Sequence, residues 1–274
     1  MNTNPDIVNE ISKHHASEAS HATNVANFET LISVCTGYGA PYNPSKASLK
    51  LTALNTLFTS AQTSMANVKD KFNLASAAID AREILFAPAT FSKFITRILN
   101  ALESSDVTQQ KIDDTKTITR KLTGKRATPK AKKALDAFIS STTKDAVTTD
   151  TTTPAVPEHK EISSSQMGYD NRLDNFAKLI NLLAAETGYN PNEADLKITA
   201  LNTLLASMKV KNTAVINAKT ALSNARINRN KILYLDAIAI YNVQDDAKKY
   251  VKSVFGASSP EYKLISKIKF TKLA

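Results

Sequence analysis

The chain has 274 residues, no Trp, a single Cys and a formal net charge of +10. Apolar residues make up 42% and charged residues 22%, which is the composition of a folded chain with a core and not of a disordered one. One Cys excludes an intrachain disulfide and a Cys-rich zinc site.

Residues 1–23 read as a flexible or partly helical N-terminal arm without the basic leader and apolar core of a signal peptide. No stretch approaches 18 apolar residues, so no membrane partner is expected and a cytoplasmic location is the default. His14, Glu18 and His21 stand at i, i+4 and i+7 and would share one helical face. A carboxylate-bridged metal site needs further carboxylates from other helices, and the later part of the chain has no second Glu-x-x-His, so no metal ligand or cofactor is assigned. A helix is expected to end near Thr36, carrying Cys35 as a buried, inert thiol, with Gly37 and Gly39 marking the stop.

Tyr42-Asn43-Pro44 then opens the next element. Asn suits an N-cap and Pro the first helical position, while the Tyr is expected to pack over the turn. The run 45–87 holds no Gly or Pro, and Leu54, Leu57, Ala61, Met65, Val68, Phe72, Ala75 and Ile79 recur at spacings of three and four. That pattern predicts one long amphipathic helix, with a break near Ser60–Asn67 as the alternative. Further helices are expected over 90–104, over 107–122 with a stop at Gly124, and over 130–140 after Pro129. Residues 141–167 are rich in Ser and Thr, carry Pro154 and Pro157, and read as a linker. Beyond it lie helices over 192–235 and 243–255, and a short one over 259–268 that starts at Ser259-Pro260-Glu261.

These elements form two copies. YNPSKASLKLTALNTL at 42–57 and YNPNEADLKITALNTL at 189–204 agree at twelve of sixteen positions, at an offset of 147. Asn27-Phe28 matches Asn175-Phe176, and Ile84-Leu85-Phe86 matches Ile232-Leu233-Tyr234, both at offset 148. DDTKTITRKLTG at 113–124 matches DDAKKYVKSVFG at 245–256 at offset 132, so the second copy lacks about sixteen residues between these blocks. The expected fold is all-α, with two tandem homologous antiparallel bundles with long helices over 24–140 and 168–274.

The excess positive charge is uneven. Residues 111–144 carry ten basic and three acidic side chains, and residues 245–274 carry seven and three; elsewhere the signs nearly balance. Arg120, Lys121, Lys125, Arg126, Lys130, Lys132 and Lys133 form the densest basic run, a candidate surface for nucleic acid or another polyanion. The run contains no aromatic residue for base stacking. Lys248, Lys249 and Lys252, with lysines further on, form its weaker counterpart. Asp113-Asp114 and Asp245-Asp246 are expected to complement helix N-termini, and Arg226, Arg229 and Arg82 to cross-link helices to carboxylates.

No Walker glycine loop, dinucleotide fingerprint, nucleophile elbow or metalloprotease His pair occurs, and no catalytic residue is assigned. QKIDDTKTITRKLTGKR, YNPNEADLKITALNTL, NTAVINAKTALSNARINRNKILY and DDAKKYVKSVFGASSPEYKLISKIKF resemble a set of uncharacterised two-repeat helical proteins common in Bacteroidetes. The resemblance implies a bacterial origin and brings no cofactor, partner or functional residue. The leading functional expectation is a non-enzymatic helical scaffold or binding protein, acting on a protein partner or on itself. A nucleic-acid-associated protein is second and an enzyme with an unfamiliar site is third.

Overall fold

The computed structural model describes residues 18–125 and 167–272. Among the described residues all regular structure is helical. The first stretch comprises α1 (Glu18–Gly37), a 3-10 turn (Ala47–Leu49), α2 (Leu51–Phe86), α3 (Pro88–Glu103) and α4 (Gln109–Thr123). The second comprises α5 (Tyr169–Ala184), a 3-10 turn (Ala194–Leu196), α6 (Ile198–Asn230), a π turn (Lys231–Leu235), α7 (Ile240–Phe255) and α8 (Pro260–Ser266). The expected helix 130–140 and most of the expected linker lie outside the described residues.

The long helices run without a break, 36 residues in α2 and 33 in α6. At about 1.5 Å per residue α2 is roughly 54 Å long. Its many polar residues do not interrupt it, because Thr56, Thr59, Ser60 and Thr63 each donate to the carbonyl four residues back. Its buried seam follows a spacing of seven: Leu54, Ala61, Val68, Ala75 and Arg82. The matching seam of α6 is Leu201, Met208, Val215, Leu222 and Arg229, always at offset 147. A strict heptad keeps only a narrow stripe against the neighbouring helices. Phe72, expected in the core from its spacing, accordingly lies 55% exposed.

At Phe86 and Tyr234 the offset has become 148, so the second copy holds one extra residue after Arg229. The π turn sits at that point, with Asp236 N–H donating to Lys231 O across five residues. One inserted residue in a helix is absorbed by just such a widened turn.

The Tyr-Asn-Pro segments are built alike but not as helix starts. Tyr42 and Tyr189 are buried, and their hydroxyls donate to Leu49 O and Leu196 O at 2.9 Å in both copies. Burial pushes the Tyr189 hydroxyl up to about 12 and raises that of Tyr42 as well. The expected Asn-Pro cap is replaced by a 3-10 turn flanked by extended residues, Lys46 and Lys50 in one copy and Glu193 and Lys197 in the other. The long helices therefore begin seven residues after each Pro, and the Tyr, not the Asn, fixes the approach.

The chain divides into two compact units. Unit 1 holds residues up to Ala78 together with Val215–Ala274; unit 2 holds Ile79–Ala214. The compact units and the sequence copies thus divide the chain differently. Each unit joins the first half of one copy to the second half of the other. In unit 1, Phe28, Leu31 and Cys35 of α1 share a core with Leu54, Ile240, Val243, Ala247 and Val251. In unit 2, Phe176, Leu179 and Ile180 of α5 share a core with Phe91, Ile95, Ile98, Leu102 and Leu122. Ring pairs tie the copies in each case: Tyr42 meets Tyr250 at 5.3 Å in unit 1 and Phe91 meets Phe176 at 5.5 Å in unit 2.

The sixteen residues missing from the second copy equal the length of α3. In unit 2 α3 packs on α4; in unit 1 α8 packs on α7, the counterpart of α4. The Ser259 side chain caps α8 by accepting from Tyr262 N–H at 3.0 Å, as its sequence predicts. Beyond it the terminal segment is held along α1. Asn24 bonds both backbone groups of Thr271, and Asn27 donates to Lys269 O.

Candidate functional site

The most unusual chemistry inside each unit lies at the equivalent arginines Arg82 and Arg229. Both are buried, at 9% and 3% exposure, where a heptad seam ordinarily places an apolar residue. Their surroundings differ.

In unit 1 Arg229 donates to Glu18 Oε2 at 2.6 Å, and Arg226 lies 3.9 Å from the same carboxylate. Asn230 accepts from Arg229 Nε and Nη2. One turn along α1, His21 is buried with Nδ1 2.8 Å from Tyr234 Oη, to which Asn24 also donates. Burial, followed by the positive charge of Arg229, lowers the His21 pKa below its ordinary 6.5. Glu18 and His21 are therefore used in an ion pair and a buried hydrogen bond, and His14 lies outside the described residues. Among the described residues no three His, Cys, Asp or Glu side chains gather to hold a metal ion. The expected carboxylate cross-link is found for Arg226 and Arg229.

It is not found for Arg82. In unit 2 Arg82 Nη1 donates to Asn212 Oδ1 at 3.2 Å, and Asn212 Nδ2 passes the contact on to Asp170 at 2.8 Å. The guanidinium lies 3.5 Å over the Tyr169 ring, and its Nε has no hydrogen-bond partner. A second arginine, Arg172, is only 4% exposed. Its Nη2 donates to Phe86 O at 2.7 Å, its guanidinium faces the Phe86 and Phe91 rings, and its Nε is also unpartnered. Desolvation lowers its pKa. At offset 148 Arg172 and Tyr169 stand where Asn24 and His21 stand in the first copy.

Of the basic run, Arg120 is half-buried in the last turn of α4, while Lys121 and Lys125 are exposed beside Gly124, whose φ of 72° ends the helix. Among the described residues no carboxylate pairs with these three. Arg126, Lys130, Lys132 and Lys133 lie outside the described residues. The counterpart lysines are engaged: Lys248 donates to Ile268 O, Lys249 pairs with Asp245, and Lys252 lies over the Tyr262 ring. The Asp pairs fall in the second turn of α4 and α7, not at the helix starts, and Asp246 pairs with Lys46. Cys35 is fully buried, and burial pushes its thiol up to about 11, so it is no nucleophile at neutral pH.

A cleft of about 460 Å³ in unit 1 is lined by Met65, Val68 and Phe72 of α2, with Lys69, Glu18 and Arg226 at its edge. Sequence reading missed it because Phe72 fits the helical stripe. Only the seven-residue spacing, which leaves Phe72 out, signals its exposure.

No helix among the described residues is long and apolar enough to cross a membrane. Comparison with known proteins finds no matching family model, no matching curated protein and no matching solved structure.

Proposed function

We propose that this protein is a non-enzymatic helical scaffold that binds a protein partner along α2 of unit 1. The observation that carries the reading is the apolar cleft of Met65, Val68 and Phe72 with charged residues of both signs at its rim. On α2 Phe72 and Leu74 are each more than half exposed, as is Ile84 further along, among residues that are mostly Ser, Thr, Asn, Ala and Lys. An exposed aromatic ring beside a cleft is the usual anchor of a protein contact. The reactive side chains support the same reading, since Cys35 is buried and His21 is tied to Tyr234. Affinity capture with the wild-type protein and with Phe72→Ser, each with and without nuclease, tests it. A partner retained by the wild type after nuclease and lost with Phe72→Ser supports the scaffold. Equal capture by both proteins contradicts it.

The unpaired Arg120, Lys121 and Lys125 favour a second reading, binding of a nucleic acid or other polyanion at the end of α4. A gel shift at low salt that disappears when Lys121 and Lys125 are neutralised supports it. No shift at about 50 mM salt removes it.

A further inference from the structure

Beyond α8 the chain runs on as a strap, residues 268–271, held on α1 and α7 of unit 1. Ile268 and Phe270 pack against the unit 1 core, while Lys267, Lys269, Thr271 and Lys272 are exposed. Lys248 of α7 donates to Ile268 O, Asn27 donates to Lys269 O at 2.7 Å, and Asn24 takes both backbone groups of Thr271. Asn24 is also one end of a buried relay. Its Oδ1 accepts from Thr271 N–H at 2.9 Å, which turns Nδ2 toward Thr271 O and, at 3.1 Å, toward Tyr234 Oη. The Tyr234 oxygen is thus an acceptor, so its own proton goes to His21 Nδ1, 2.8 Å away. The relay therefore needs a lone pair on Nδ1, and hence a neutral His21. At offset 148 Phe86, Tyr169 and Arg172 stand where Tyr234, His21 and Asn24 stand, so unit 2 keeps no member of it.

We propose that His21 is a proton-operated latch for this strap: neutral His21 keeps residues 268–271 seated, and protonation of its Nδ1 frees them from α1 and α7. A proton on Nδ1 makes the ring a donor to Tyr234 Oη. That oxygen then faces two donors, His21 and Asn24, and the phenolic proton loses its acceptor. His21, Asn24 and Tyr234 are all buried, so water repairs the loss only when the strap lifts. Burial and then Arg229 of α6 oppose protonation of the ring, and Glu18 of α1 favours it. Glu18 is itself held by Arg229, with Arg226 3.9 Å away. The seated form thus binds the proton less readily than the freed form, so seating is favoured at neutral pH and release sets in below the ordinary His pKa of 6.5. Lifting the strap withdraws Ile268 and Phe270 from the core and opens that edge of α1 and α7 to solvent. The device does not depend on what binds at the α2 cleft.

The test is an NMR titration of the full chain from pH 7.5 downward until the His21 ring signals stop shifting. The NOE between the Asn24 side-chain amide and the Thr271 amide reports the strap, and the NOE between the Tyr42 and Tyr250 rings reports the unit. The strap NOE is expected to fade in step with His21 protonation, the ratio of seated to freed strap falling about tenfold or more, while the ring NOE persists. A strap NOE that survives His21 protonation overturns the latch. Loss of both NOEs together also overturns it, because the unit then unfolds before the strap lets go. His21→Gln removes the titrating ring and keeps an acceptor for the Tyr234 hydroxyl, and is expected to hold the strap seated over the same range. Release in that variant at the same pH assigns the response to another group and overturns the proposal.

Discussion

Arg229 and Arg82 stand at the same position of duplicated helices and are both buried, yet unit 1 gives its arginine a carboxylate and unit 2 gives its own an amide. The neighbours diverged together: His21 and Asn24 in one unit stand where Tyr169 and Arg172 stand in the other. Where the units agree, at the Tyr hydroxyls and the heptad seams, the residues set backbone geometry. Where they differ, the arginine clusters set charge, and α3 in one unit and α8 in the other complete the core differently. The two matching frameworks thus share a register while their polar clusters differ.

The strongest way to break the comparison is through the shared core. Phe28 and Phe176 are equivalent and fully buried. Each change to Ala is expected to cost about 3–5 kcal/mol in denaturant titration. A large difference between the two would mean that the units do not share a core plan. Asn212 and Met65 also occupy one register position, 147 apart. Asn212→Ala removes the bridge between Arg82 and Asp170 and is expected to cost about 2–3 kcal/mol, against about 1 kcal/mol for half-buried Met65→Ala. Equal costs would show that the amide bridge contributes nothing of its own. Tyr42→Phe and Tyr189→Phe each delete one buried hydroxyl donor and are expected to cost about 1 kcal/mol apiece, equally in both units.

The smallest effect is the pH response. His21 has a lowered pKa in the folded state, so the unfolded chain binds a proton more readily. Stability of unit 1 is therefore full above the ordinary His pKa of 6.5 and falls as pH drops below it. Amide exchange measured at pH 7.5 and pH 5.5 should show weaker protection at α1 and α7 at the lower pH, with α5 unchanged. His21→Gln should abolish the difference; its survival would assign the response to another group.

Much of this was legible in the sequence. Helical periodicity, Gly124 and the Ser259-Pro260 start placed the helices, and the repeated Tyr announced a packing role. The Asn-Pro segments misled because a cap signal is local, whereas burial of Leu49 and Leu196 pulls the chain into a 3-10 turn before the helix begins. Phe72 misled because spacings of three and four describe a wide stripe and the neighbours cover a narrow one. Arg82 and Arg229 were paired correctly with carboxylates only where Glu18 is present. The crosswise assembly of the units had no sequence signal, since homologous halves display equivalent apolar faces and each fits either partner by pattern alone.

That assembly is the central claim, and ring-to-side-chain NOEs in the full chain test it most directly. Crosswise units predict contacts from Tyr42 to Tyr250, whose ring centres lie 5.3 Å apart, and from Phe91 to Phe176. Units that follow the sequence copies would replace the first with contacts from Tyr42 to Ile118 and from Tyr189 to Tyr250, and observing those would contradict the account.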